Sequence, residues 1–458
     1  MAQHTIISPV DGKAFATVSI SNEPQANSLL HAAKKAQSSW VKTPLNERLN
    51  YIRAFLSAFV LDKERIAEEL TWQMGRPIAY APKEVERLVE RAQAMIDVAE
   101  RGLSPLTLHD AGSTFREVRR VPHGVCLVVA PWNYPYLTAV NTIVPALIAG
   151  NAVILKPAAQ TALTGDRFAA AFATAGLPAG VFSSALLSHE TVAGWVASRS
   201  VDFVSFTGSV RGGTEIERSA AGSFLPISLE LGGKDPAYVR EDADLEFAVN
   251  ELVDGSFFNS GQSCCGVERI YVDRKIYSAF ADRFVEVTRA SQLLGNPTEP
   301  ATTLGPLVST KAARSVRDQI EKAIADGAEL ALGEDNPNAN SAYLPATVLL
   351  NVNHSMDVMT EESFGPVVGI MPVDSDHQAA KLMNDSKYGL SASVWTQDVA
   401  VGLAFGEVVE TGTFFVNRCD YLDPSLAWTG IKDTGRGCSL SEWAYHHLTR
   451  PKSFYARR

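Results

Sequence analysis

Residues 124–157 read GVCLVVAPWNYPYLTAVNTIVPALIAGNAVILKP, and this stretch decides the fold class. Two short runs rich in valine, isoleucine and leucine, at 125–130 and 152–155, bracket a longer apolar run at 139–149. The whole is apolar enough to imitate a membrane span, but Pro131, Pro135 and Pro145 interrupt it together with Asn133, Asn141 and Asn151. It therefore reads as strand, loop, helix, strand. The alternation continues with a helix over 164–175 and a strand over 202–206, the signature of a doubly wound parallel sheet. Ligands of such sheets lie beyond the carboxyl ends of the strands, where this chain carries Trp132-Asn133, Lys156-Pro157 and Thr207-Gly208-Ser209. No G-x-G-x-x-G stands at a strand end and no G-x-x-x-x-G-K-[ST] occurs, so glycine fingerprints alone do not make a nucleotide site.

Working outward, an extended start around 6–20 precedes apolar residues Leu49, Ile52, Phe55, Leu56 and Phe59 at helical spacing, a run that stops at Gly75-Arg76-Pro77. A further helix is expected over 83–101, with Val85, Leu88, Val89, Ala92 and Ile96 on one face. The segment 103–121 has no helical period and reads as an extended hairpin. Downstream, a second α/β segment runs from 233 to about 432, with strands at 269–272 and 367–373 and helices at 277–290 and 310–326. The basic tail 448–458 suits an edge strand.

The chain has 458 residues, 46% hydrophobic and 20% charged, which excludes wholesale disorder, a collagen-like fibre and a coiled-coil rod. A formal net charge of −10 argues against nonspecific binding to nucleic acid or to an anionic membrane surface. Five cysteines without framework spacing in a long chain predict reduced thiols, and the start Met1-Ala2-Gln3-His4 lacks the character of a secretory signal, so a cytoplasmic setting is expected. The His446-His447 pair has no partner at ligand spacing, and no metal site is expected. No G-x-S-x-G elbow supports a serine hydrolase.

Two segments carry candidate chemistry. Phe257-Phe258-Asn259-Ser260-Gly261-Gln262-Ser263-Cys264-Cys265 sets adjacent thiols after a polar turn, where backbone amides can point at whatever binds the sulfur. Alone, a cysteine is more often a small core residue. Upstream, Ile227-Ser228-Leu229-Glu230-Leu231-Gly232-Gly233-Lys234 puts one carboxylate in an apolar run closed by glycines, the setting in which a raised pKa makes a general base; an ion-paired structural Glu is the plainer alternative.

With Pro131-Trp132-Asn133, Lys156-Pro157, Phe206-Thr207-Gly208-Ser209 and Glu361-Glu362-Ser363-Phe364-Gly365-Pro366 added in order, the chain resembles the aldehyde dehydrogenase superfamily over nearly its whole length. The resemblance implies two open-sheet α/β domains, a Rossmann-like cofactor domain over 1–103 and 123–232 and a catalytic domain over 233–432, with a small β oligomerisation flap from 104–122 and 445–458. It implies Cys264 as nucleophile, Asn133 with the Cys264 backbone N–H as oxyanion donors, and Glu230 as the base that hydrolyses the thioester. NAD or NADP would be held by Trp132, Lys156, Gly208, Ser209, Leu231, Glu362 and Phe364. The substrate channel would be lined by Tyr134, Asn141, Leu422 and Trp428, with an aldehyde as substrate and a homodimer or homotetramer as the assembly.

The chain departs from the family pattern in places. Ala159 stands where many NAD-preferring relatives hold a glutamate on the ribose hydroxyls, which removes a repulsion against a 2′-phosphate without creating a phosphate site. The loop 183–188 lacks a customary glycine, and Ala427-Trp428-Thr429-Gly430 replaces a Pro-Phe-Gly-Gly turn. Arg418 and Arg436 are candidates for an acidic substrate end, against the commoner use of such arginines as ion-pair partners. Two further readings stand beside hydrolytic oxidation: a CoA-acylating enzyme, which needs no base at Glu230, and a noncatalytic protein that keeps the fold.

Overall fold

A computed structural model describes residues 2–108, 114–334 and 340–457. The deciding stretch forms strand Val125–Val129, helix Pro135–Ala149 and strand Ala152–Lys156, and every residue of both strands is buried. Pro135 occupies the first helical turn, where its missing N–H leaves no hydrogen bond unmade, and Gly150 ends the helix with φ +96°.

The first sheet runs, in spatial order, Gly435–Arg436, Ile227–Glu230, Phe203–Thr207, Val125–Val129, Ala152–Lys156, Phe182–Ser184, parallel except for the first. Strand order reverses between Val125–Val129 and Phe203–Thr207, so the loops that follow these two strands diverge and open a crevice at the carboxyl edge. Asn133 and Ser209 lie on those loops. Helices Leu45–Val60 and Pro82–Leu103 cover one face; Phe55 and Phe172 stack at 4.0 Å between centroids, with Phe59, Tyr136 and Phe168 around them. Burying each such ring contributes about 1.5–3 kcal/mol.

A second sheet orders strands Glu329–Leu332, Thr347–Leu350, Val367–Val373, Val267–Asp273, Asp235–Val239, Ser391–Trp395 and Thr413–Val416, parallel but for the first. Helix Leu245–Phe257 follows Asp235–Val239 and delivers the chain to Cys264. A third sheet of three antiparallel strands pairs Thr449–Arg457 with Thr114–Pro122, and that with Leu106–Thr107.

Some elements differ from the sequence expectation. The start is a hairpin of Gln3–Ile7 and Ala14–Ser19, and the helical run from Leu49 breaks at Leu61-Asp62 into Leu45–Val60 and Lys63–Met74. Leu61 is 83% exposed, so no core contact at that residue holds the helix through the break. Residues 109–113 of the hairpin lie outside the described residues. Tyr445 sits in helix Trp443–His447 rather than in the flap strand, buried and donating to the Met95 carbonyl at 2.7 Å. Among the described residues no helix is long and apolar enough to cross a membrane.

Candidate active site

Helix Leu245–Phe257 ends in a 3-10 turn, Phe258–Gly261, with Asn259, Ser260 and Gly261 all at positive φ. A side chain at Gly261 would strike the Gly365 carbonyl, so this turn must be tight. Its strain is held by bonds on every side. Gln262 Oε1 accepts from Val308 N at 2.8 Å, Ser260 Oγ donates to Gly305 O at 2.9 Å, and Asn259 Oδ1 accepts from Arg76 Nε at 3.0 Å. Arg76, buried, also donates to the Asn133 carbonyl and pairs with buried Glu84. Glu84 in turn accepts from the Tyr136 and Leu137 amides at 2.8 and 3.3 Å, which caps the first turn of helix Pro135–Ala149.

Cys264 emerges half-buried from this turn, while Cys265 beside it is buried and donates to Asp420 Oδ1 at 3.0 Å. Its hydrogen bond with the Cys264 thiol, and then burial, push the Cys265 thiol up. Ser263 Oγ donates to the same Asp420 oxygen at 2.8 Å, and burial lifts the Asp420 carboxyl to about 6. Of the two thiols, Cys264 alone reaches open space on both sides. It lines an inner cavity of about 300 Å³ and an outer cleft of about 930 Å³, and Glu230, Leu231, Thr138 and Thr207 line both as well.

Glu230 ends strand Ile227–Glu230, and its Oε1 accepts from Ser439 Oγ at 2.6 Å. Burial raises its pKa, while the Ser439 bond and the Arg91 charge pull the other way. Asn133 is buried and its Nδ2 donates to the Gln262 carbonyl at 3.1 Å, leaving the amide's second N–H for the cleft.

The outer cleft gathers Trp132, Lys156, Gly208, Ser209, Leu231, Glu362 and Phe364. Lys156 ends its strand buried, and burial lowers its pKa; among the described residues it has no carboxylate partner. Ser209 caps helix Val210–Ala220, accepting from Gly212 N at 3.2 Å, so the positive end of that helix opens on the cleft. Trp132 and Phe364 meet edge to face at 5.5 Å. Glu362 Oε1 accepts from Gly233 N at 3.0 Å; burial and the nearby Glu268 lift its carboxyl to about 8. A side chain at Gly232 would fill the space its carboxylate takes. A cleft of this volume with a buried ammonium, a helix N-terminus and an aromatic wall fits a nicotinamide dinucleotide. Ala158 and Ala159 line it and supply no acid, although Glu190 and Glu215 line it as well.

Tyr134, Asn141, Leu422 and Trp428 all line the inner cavity with Cys264. Arg418 and Arg436 are ion-paired, to Glu251 at 2.7 Å and Glu217 at 2.8 Å. Sequence reading passed over Arg76, Glu84, Arg91, Glu268, Asp420 and Ser439. Glu268 accepts from the Ser363 and Phe364 amides at 2.8 and 2.9 Å and pairs with Lys234 at 2.5 Å, fixing the loop that carries Glu362. Glu84 was the findable one, a carboxylate on the apolar face of its helix. Among the described residues no cluster of three His, Cys, Asp or Glu side chains is placed to hold a metal ion.

The sequence model of the aldehyde dehydrogenase family matches residues 2–454. The chain is 31% identical to lactaldehyde dehydrogenase of Escherichia coli over 98% of this chain and 94% of that one. It is 32% identical to a succinate semialdehyde dehydrogenase of the same organism, covering 100% and 99%. The NADP complex of an NADP-dependent glyceraldehyde-3-phosphate dehydrogenase from Bacillus halodurans superposes with a TM-score of 0.94 at 30% identity, covering 100% of this chain and 96% of that one.

Proposed function

The chain belongs to the aldehyde dehydrogenase family, and on that premise we propose that it oxidises an aldehyde to the carboxylate with NAD or NADP, through a covalent adduct on Cys264 that Glu230 helps to hydrolyse. The observation that carries this reading is the position of Cys264 and Glu230 at the junction of the two cavities. A thiol there reaches an aldehyde from the inner side and faces the cofactor cleft on the other.

The Cys264 thiolate attacks the carbonyl, and the second N–H of Asn133 with the Cys264 backbone N–H stabilises the oxyanion. Trp132, Lys156, Gly208, Ser209, Leu231, Glu362 and Phe364 would hold the dinucleotide, which would supply the hydride acceptor. Glu230 then takes a proton from water as that water attacks the thioester; burial raises its pKa and so makes it a stronger base than an exposed carboxylate. Tyr134, Asn141, Leu422 and Trp428 shape the substrate end.

Retention of a desolvated Glu230, bonded to Ser439, favours hydrolysis over transfer to CoA. A cytoplasmic homodimer or homotetramer completes the reading, supported by the exposed outer strand Thr449–Arg457 of the small sheet. The test is aldehyde-dependent reduction of NAD and of NADP by the purified protein without CoA. Equimolar carboxylate is expected, and a strict requirement for CoA would refute hydrolysis.

A further inference from the structure

Four arginines line the inner cavity, and three are ion-paired: Arg76 with Glu84, Arg87 with Glu90 and Arg418 with Glu251. Arg91 is the exception. It projects from helix Pro82–Leu103, at i+7 from Glu84, and crosses to the neighbouring helix Pro135–Ala149. There its Nη1 donates to the Leu137 carbonyl at 3.1 Å and to Asn141 Oδ1 at 3.4 Å. Among the described residues its Nε and Nη2 have no acceptor, and it forms no ion pair.

The acids nearest Arg91 are engaged elsewhere. Glu84 is taken by Arg76 and by two backbone amides, and Glu230 accepts from Ser439. Asn141, 2% exposed, spends its oxygen on Arg91, and its Nδ2 has no acceptor among the described residues. A guanidinium edge and an amide N–H thus face one cavity with donors to spare and nothing to receive them. Burial lowers the Arg91 pKa, and the charges of Cys265, Glu230, Glu84 and Cys264 oppose that shift only in part. A planar fork of donors matches a carboxylate in geometry as well as charge.

We propose that the inner cavity takes an aldehyde whose far end carries a carboxylate, received by Arg91 and Asn141 while the aldehyde carbon meets Cys264. This rests on the aldehyde-oxidising reading above and names the substrate class for the same site. Arg91 also disfavours a trimethylammonium aldehyde, since the incoming charge would meet a guanidinium that holds no ion pair.

The test compares kcat/KM for 4-oxobutanoate and 5-oxopentanoate with that for butanal and pentanal, in wild type, Arg91→Gln and Arg91→Lys. It adds equilibrium binding of succinate and glutarate, which need no turnover. Wild type is expected to prefer each carboxylate-bearing aldehyde over its neutral counterpart by about 30-fold or more. Arg91→Gln should collapse that ratio toward unity and weaken succinate or glutarate binding by a similar factor, with Arg91→Lys between. If Arg91→Gln does not fold, the Arg91→Lys variant and the wild-type ratios carry the same comparison. Neutral aldehydes oxidised as well as carboxylate-bearing ones would overturn the proposal and leave the oxidation reading standing. Dicarboxylate binding that depends on Arg91, without oxidation of any aldehyde, would sink the oxidation reading and keep the anion site. Glyceraldehyde 3-phosphate outcompeting both oxo acids would reject a carboxylate in favour of a phosphate.

Discussion

Asn133 Nδ2 donates to the carbonyl of Gln262 at 3.1 Å, so the amide assigned to the oxyanion is tied to the loop that carries the nucleophile, two residues before Cys264. Arg76 makes the same junction from below, bonding Asn259 and the Asn133 carbonyl while paired with Glu84. Donor and nucleophile are therefore held by one bonded network. Asn133→Ala is expected to lower kcat about 100- to 1000-fold in steady-state assays, with a smaller change in aldehyde KM. An equal loss carried entirely by KM would contradict the assignment.

The two adjacent thiols are expected to respond oppositely. Cys264→Ala should abolish aldehyde oxidation. Cys265→Ala should retain most of it, because Cys265 is buried and spent on Asp420. Rates of the two purified variants decide the register, and the reverse result would move the nucleophile by one residue.

Glu230 has a pKa raised by burial and lowered by Ser439, which sets the sign of a pH effect. The base acts as carboxylate, so where hydrolysis limits turnover kcat should rise with pH through its pKa. Ser439→Ala removes a bond that favours the carboxylate and should shift this limb to higher pH. Glu230→Gln should give a burst of about one reduced nicotinamide per active site, followed by slow turnover. Stopped-flow absorbance and a kcat–pH profile read both effects.

Ala159 lines the cofactor cleft near Lys156 without supplying a negative charge. Ala159→Glu should lower kcat/KM for NADP at least about tenfold relative to NAD, by repulsion of the 2′-phosphate. Equal effects on both cofactors would place the ribose elsewhere.

The alternation of short apolar strands with helices was legible because both sheets bury their central strands on both faces. The strand expected at 367–373 appears as Val367–Val373. Local signals failed where tertiary contacts decide the outcome. The helix break at Leu61-Asp62 is one case, and the pairing of Gly435–Arg436 with Ile227–Glu230 across more than two hundred residues is another. Cys264, Glu230 and Asn133 stood out through their motifs. Arg91 did not, since in sequence it is one charge among many on an amphipathic helix. Its meaning depends on Leu137 and Asn141, which lie on a different helix.

The most direct measurement is the amount of carboxylate formed per reduced nicotinamide from an aldehyde in the absence of CoA, in wild type and in Cys264→Ser with unfolding profiles matched. Hydrolytic oxidation through Cys264 predicts one carboxylate per cofactor reduced in wild type and no measurable turnover in the variant. Turnover that survives in Cys264→Ser, or that appears in wild type only with CoA and yields acyl-CoA, would contradict it.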